Sequence, residues 1–181
     1  MTRSVAFLRA INVGGRRVKM AELREHVQAM GLGGVATFIA SGYVVFDDPG
    51  VGGREALEAR MEDHLQVRLG FFTDVIIRTL SEVSRLTLHT RVAAAPEEGF
   101  TVHVLFGRSD LVPGTRAAFQ ELEGPDDRFH VVGREVLWLR RGRLSDSALK
   151  QGDLTAAFGG VAHTARKVDT LRRLVERFGS G

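Results

Sequence analysis

Two kinds of apolar periodicity alternate over the first half of the chain, and that alternation limits the fold more than any other feature. Val5 to Val13 reads as a strand rich in apolar residues. Lys19 to Met30 reads as a helix, because Met20, Leu23, Val27 and Met30 recur on one face and Gly31 stands where a helix ends. Val35 to Ala40 and Tyr43 to Asp47 read as two strands joined in a tight hairpin across Ser41-Gly42. Asp48-Pro49-Gly50 is a turn, and Arg54 to Leu69 is a second helix with Leu57, Met61, Leu65 and Leu69 on one stripe. Phe71 to Arg78 reads as a strand, and Thr79-Leu80-Ser81-Glu82 has the form of a capping box that opens a further helix. The order β-α-β-β-α-β predicts a ferredoxin-like α+β unit, with two helices on one face of a four-stranded antiparallel sheet. The other face must be covered or used for binding.

The stretch from Val92 to Gly99 has little periodicity and reads as a linker, which divides the chain into residues 1–91 and 97–181. Beyond it come a strand (Thr101 to Phe106), a short helix (Thr115 to Leu122) and two strands (Arg128 to Val132, Glu135 to Arg140) joined at Gly133-Arg134. A helix from Ser145 and a final helix from about Arg166 to Phe178 follow. This second, smaller α+β part reads β-α-β-β-α-α. Its order is close to that of the first part and suggests a diverged duplication, with no repeat visible residue by residue.

Several chemistries are excluded early. The chain has no cysteine, which removes disulfides, thiolate catalysis and cysteine-ligated metals. No window approaches the roughly 20 apolar residues of a membrane span, so no membrane partner is expected. The N-terminal residues lack a signal core, and a cytoplasmic location is expected. The six histidines are dispersed without H-x-H, H-x-x-H or H-E-x-x-H spacing, so no metal site is predicted. There is no G-x-S-x-G elbow and no P-loop, and Gly31-Leu32-Gly33-Gly34 follows a helix where a dinucleotide loop would precede one. No cofactor is implied and no catalytic residue can be assigned.

What remains is charge. The net charge is +3 with a pI near 9.9. Eleven Lys or Arg stand against five Asp or Glu after Asp127, whereas the residues up to Asp127 carry fourteen against seventeen. Arg16, Arg17 and Lys19 crowd the expected start of the first helix, and Arg166 and Lys167 that of the last. A helix N-terminus is already electropositive, so a negative ligand would relieve both clusters. This points to a small phosphate- or carboxylate-bearing ligand at the Gly14-Gly15 turn and in a cleft between the two halves. The candidate ligand-binding residues are Arg9, Asn12, Gly14, Gly15, Lys19, Ser41, Tyr43 and Arg166. Phe7, Arg9 and Ile11 share one strand face, and Tyr43 and Val45 another; if the two coincide, the sheet resembles a nucleic-acid stacking platform, though the second aromatic is out of phase. Two alternatives therefore stand beside the first reading. One is nucleic-acid binding through the basic C-terminal third. The other is an open sheet that pairs with a second copy. Oligomeric state is not fixed by the sequence.

Four segments carry a family resemblance: Phe7-Leu8-Arg9-Ala10-Ile11-Asn12-Val13-Gly14-Gly15, Lys19-Met20-Ala21-Glu22-Leu23, the stretch from Thr37 to Phe46, and Thr164 to Leu171. Together they resemble the bacterial family known as domain of unknown function 1697. The resemblance implies an α+β fold with a ferredoxin-like N-terminal part and no established activity. Ala40, Tyr43, Lys167, Val168 and Asp169 depart from the family pattern, where Gln, Asn, Asn, Trp and Asn are usual. If those polar residues hold a shared ligand, part of that site is altered here.

Overall fold

The computed structural model describes residues 1–179. It is a mixed α+β protein with two four-stranded antiparallel sheets and, among the described residues, seven α-helices. The elements run β1 (Thr2–Leu8), α1 (Met20–Gln28), β2 (Gly33–Phe38), β3 (Tyr43–Asp48), α2 (Arg54–Leu69), β4 (Val75–Thr79) and α3 (Leu80–Thr87). They continue with α4 (Thr90–Ala94), β5 (Thr101–Gly107), α5 (Thr115–Glu121), β6 (Asp127–Val132), β7 (Glu135–Arg140), α6 (Gln151–Ala157), β8 (His163–Lys167) and α7 (Val168–Phe178). The chain forms two compact units, one from Met1–Val83 with the segment from Leu174 onward, the other from Ser84–Arg173.

In the first unit the strand order is β2-β3-β1-β4. One face of the sheet presents Ala6, Leu8, Val44, Phe46, Val75 and Ile77 to the apolar stripes of α1 (Leu23, Val27) and α2 (Leu57, Met61, Leu65). The register pairs Phe7 with Tyr43 and Val5 with Val45, so these four share the opposite face, and they are buried as well. There Tyr43 meets Phe7 and Phe38 edge to face, and Phe38 meets Phe178 of α7.

The outer edge of β4 is closed by carboxylates. Glu62 accepts the Val75 N–H at 2.9 Å, Glu58 accepts that of Ile77 at 2.7 Å and Glu82 that of Thr79 at 2.7 Å. These are the alternate amides that face away from β1, so the edge offers no hydrogen to another chain. Glu58 is fully buried, 3.9 Å from the equally buried guanidinium of Arg78. Glu82 also completes the expected capping box, since Thr79 Oγ1 accepts its N–H at 3.1 Å. Burial pushes the Glu82 carboxyl up, but the Arg54 guanidinium at 2.7 Å and the Thr79 amide outweigh it and hold the group below its ordinary value.

The second unit repeats the arrangement with order β6-β7-β5-β8. Its core gathers Leu105, Phe119, Phe129, Val136, Trp138, Leu154 and Phe158. Asp127 is buried beneath it, accepting from Trp138 Nε1 at 2.7 Å and paired with Arg140. His103 lies on the same face of the sheet as Trp138, its partner on β7, and among the described residues none meets its Nδ1. Burial pushes the His103 imidazole below its ordinary pKa; the Lys167 charge adds to this and Asp169 opposes it.

Five expectations need correction. The first strand ends at Leu8, because Ala10 takes a left-handed φ of 53° and Asn12 turns back onto Val18; residues 9–19 are a loop. The β2–β3 connection has four residues, 39–42, because Ile39 at φ 51° stops β2 early. The region read as a linker holds α4, whose first turn is capped by His89 Nδ1 accepting from Arg91 N at 3.2 Å. The helix expected from Ser145 is a single 3₁₀ turn at Leu144–Asp146, and α6 begins later, at Gln151. Arg166 and Lys167 belong to strand β8, so the second half reads β-α-β-β-α-β before its last helix.

With β8 in place the repeat becomes visible in the ladders. Arg9 donates its N–H to Asp74 O at 3.0 Å just beyond β1, and Arg108 donates to Ala162 O at 2.8 Å just beyond β5. On this register Phe7-Leu8-Arg9 matches Phe106-Gly107-Arg108, and buried Arg78 matches buried Arg166.

Two outcomes follow. Glu58→Ala strands the Ile77 amide and removes a carboxylate from beside Arg78, and is expected to cost about 1–3 kcal/mol in urea unfolding, with Glu58→Gln intermediate because it keeps an acceptor. Burial lowers the His103 pKa in the fold, so the stability linked to it is complete above the unfolded pKa near 6.5 and is lost as the pH falls below it. Thermal unfolding from pH 7.5 to 5 should show a steeper loss for the wild type than for His103→Leu.

Candidate functional site

Three loops meet at the end of the first sheet where β1 finishes. They are residues 9–19, 39–42 and 70–74, and short polar contacts bind them together. The Leu8 amide donates to Gly42 O at 2.8 Å. Thr73 Oγ1 donates to Arg9 O at 2.7 Å, and the Arg9 guanidinium meets Asp74 at 3.2 Å. Both side chains of that pair are partly exposed, which limits it to about 0–1 kcal/mol.

Asn12 is the hub. Its carbonyl accepts the Val18 N–H at 2.7 Å, and its amide donates to Ala40 O at 2.8 Å and Val18 O at 3.3 Å. One side chain thus closes the 9–19 loop on itself and ties it to the β2–β3 loop. Gly42 must be glycine: its φ is 82°, and a Cβ would come within 2.8 Å of Ile11 Cγ2 and 2.9 Å of Leu8 O. Ile39 at φ 51° is a rare conformation for a β-branched residue and costs on the order of 1–3 kcal/mol. Such strain persists only where the surroundings impose it.

The sequence-predicted residues separate into distinct groups. Arg9 and Asn12 are committed to internal partners and position the loop. Gly14 and Gly15 both have positive φ, 60° and 86°, with open space where a Cβ would stand, so their role is to shape an exposed turn. They lie several residues before α1, whose first residue is Met20 and whose N-cap is Lys19; the turn is not at the helix start. Lys19 and Ser41 are exposed. Tyr43 is 2% exposed and belongs to the aromatic cluster. Arg166 is buried on β8 of the second unit. Asp74, Thr73 and the strained Ile39 are the participants that sequence reasoning missed, and no motif marks them.

The charges of this loop are unevenly answered. The Arg16 guanidinium lies 4.4 Å from the Phe71 ring centroid, a cation–π contact. Among the described residues no carboxylate lies within ion-pair distance of Arg16, Arg17 or Lys19, all three of them exposed. The basic residues near the C-terminus differ. Lys167 and Arg172 reach Asp169 at 3.3 and 3.5 Å, and the Arg177 guanidinium lies 5.2 Å from the Phe178 ring. No described cluster of three or more His, Cys, Asp or Glu is placed to hold a metal ion, and no described helix is long and apolar enough to cross a membrane.

A family model described as a protein of unknown function, DUF1697, matches residues 1–137. The chain belongs to this family. The matched region includes β1, the Asn12 loop and the Ile39–Gly42 connection. The conserved bacterial protein SP0830 from Streptococcus pneumoniae has a similar structure, with a TM-score of 0.74 and 21% identity over 99% of both chains. That likeness shows the fold. No curated protein matches the chain.

Asn12→Ala should open the loop while leaving the sheet intact. The expected result is a loss of about 1–3 kcal/mol from the stranded Val18 amide and Ala40 carbonyl, with faster hydrogen exchange at Val18.

Proposed function

We propose that this DUF1697 protein binds a small anionic ligand, phosphate- or carboxylate-bearing, at the loop formed by residues 9–19. One observation carries the reading: Arg16, Arg17 and Lys19 project from a loop fixed by Asn12, and no described carboxylate neutralises them. A mobile loop could disperse such charges. This one is held in strained conformations beside Ala10 and Ile39, and that strain makes a prepared site the better explanation. Arg17 and Lys19 are the expected ligand contacts. Gly14 and Gly15 leave the backbone accessible, Ser41 borders the site, and Arg9 and Asn12 act as positioning residues. The loop is favoured over the basic C-terminal segment because Asp169 and Phe178 already engage the cations there.

The same reading extends to architecture. The strand order, with helices on one face, supports a ferredoxin-like arrangement for each four-stranded layer.

The test is thermal unfolding in low-salt buffer with inorganic phosphate, pyrophosphate or a nucleoside triphosphate. At a hundredfold excess over Kd, binding contributes about 2.7 kcal/mol, a rise of roughly 5–10 °C for a chain of this size. Arg17→Glu combined with Lys19→Glu should abolish the rise without lowering the basal Tm. A wild type that none of these anions stabilises overturns the reading.

A further inference from the structure

Phe72 is the only exposed aromatic side chain among the described residues; every other ring of Phe, Tyr or Trp is buried or half-buried. It stands in the loop that follows α2, between two anchored neighbours. On one side Phe71 lies beneath the Arg16 guanidinium, 4.4 Å from the ring centroid. On the other, Thr73 donates its hydroxyl to Arg9 O at 2.7 Å. Phe72 itself makes no ring contact and takes no part in the apolar core. Apolar surface in water is unfavourable, yet 49% of this side chain is held there by fixed flanking residues.

The same three loops expose two more apolar side chains. The Asn12–Ala40 hydrogen bond joins residues 9–19 to 39–42, and the residues next to it, Val13 and Ile39, are 55% and 40% exposed. The Arg16–Phe71 contact joins residues 9–19 to 70–74, and the residues next to it, Arg17 and Phe72, are both exposed. Among the described residues no carboxylate pairs with Arg17 or Lys19. Unanswered cations and uncovered apolar surface therefore border one loop. An inorganic anion engages only the cations. A ligand whose negative charge is attached to a flat aromatic body engages both.

From this juxtaposition we infer that the anion is a nucleotide, its phosphates held at Arg17 and Lys19 and its base stacked on Phe72; this rests on the anion-binding reading of the same loop. One base fits better than a strand of them. Phe7, Phe38 and Tyr43 are buried and Arg16 already occupies the ring of Phe71, so a single ring is left for stacking. A bilayer fits less well. Phe72, Val13 and Ile39 are each about half covered by the protein, so little apolar surface would reach the acyl region. Because Phe71 and Thr73 are anchored, the ring is presented without a loop having to order on binding.

The experiment is isothermal titration calorimetry of the full chain in low-salt buffer, with ATP and with tripolyphosphate, which has the same row of phosphates and no base. ATP is expected to bind about fivefold or more tighter. Phe72→Ala should bring ATP to the level of tripolyphosphate and leave tripolyphosphate unchanged, and Phe72→Trp should keep the preference. On the wild type, nuclear Overhauser contacts between the adenine H8 and H2 protons and the Phe72 ring report the same stacking without any substitution. The inference alone is overturned if tripolyphosphate binds as tightly as ATP, if Phe72→Ala weakens both alike, or if those contacts are missing from bound ATP; the anion reading then stands. If neither compound binds, the anion reading fails and the inference with it. Binding to phosphatidylglycerol vesicles that Phe72→Ala abolishes, with no preference for ATP over tripolyphosphate, assigns the patch to a membrane surface and equally overturns the inference.

Discussion

Everything in the first unit is registered by the bonds between α2 and the edge of β4. Glu58 and Glu62 are one helical step of four residues apart, about 6.0 Å along the axis. Their partners, Ile77 and Val75, are two strand residues apart, about 6.6–6.8 Å. The two spacings nearly coincide, so a helix running antiparallel to the strand can satisfy successive outward amides with successive carboxylates. A slide of one residue on either element breaks both bonds and moves two buried carboxylates off the amides they accept. Apolar packing of Leu57, Met61 and Leu65 tolerates small shifts; buried charge does not. The glutamates therefore fix where α2 lies, and with it where the loop that follows α2 delivers Thr73 and Asp74.

That placement explains why the 9–19 loop can be both strained and ordered. Thr73 and Asp74 grip the backbone and side chain of Arg9 from one side, and Asn12 reaches the Ala40 carbonyl on the other. Ala10 and Ile39 then have no relaxed alternative that keeps these bonds. The cost of their left-handed conformations is offset by the hydrogen bonds on either side, each net about 0.5–1.5 kcal/mol. Cations that cannot withdraw into a flexible loop remain where they are.

Much of this architecture is legible in the sequence, and the failures have physical causes. α2 and β7 are read with the boundaries they have, because their apolar spacing is strong and Gly70 and Gly133 punctuate them. The capping box at Thr79 and Glu82 is read correctly because its chemistry is local. β8 is missed because His-Thr-Ala-Arg-Lys carries no apolar alternation; it is a strand only because β5 presents a ladder to it. The extent of β1 is overestimated because Ile11 and Val13 continue its apolar run, while the turn is set by Asn12 finding Val18 and Ala40. At the candidate site, the sequence shows the exposed cations but not their anchors. Arg9 and Asn12 look like ligand contacts until Asp74, sixty-five positions on in the chain from Arg9, is seen beside it. Tyr43 looks like a stacking residue until the burial of its whole sheet face is known.

The two sheets share one topology, yet the helices that follow their hairpins differ in length. α2 has 16 residues, enough for two glutamates a turn apart together with an apolar stripe that holds them against the strand. α6 has 7, about two turns, and its buried positions Leu154 and Ala157 are taken up by the core. Its first residue, Gln151, reaches the His163 ring at 2.9 Å, and no carboxylate from it reaches Ala165 or Lys167. Core packing needs only a few well-placed apolar residues in either half, whereas the carboxylates on the β4 edge depend on the register at which α2 places Glu58 and Glu62.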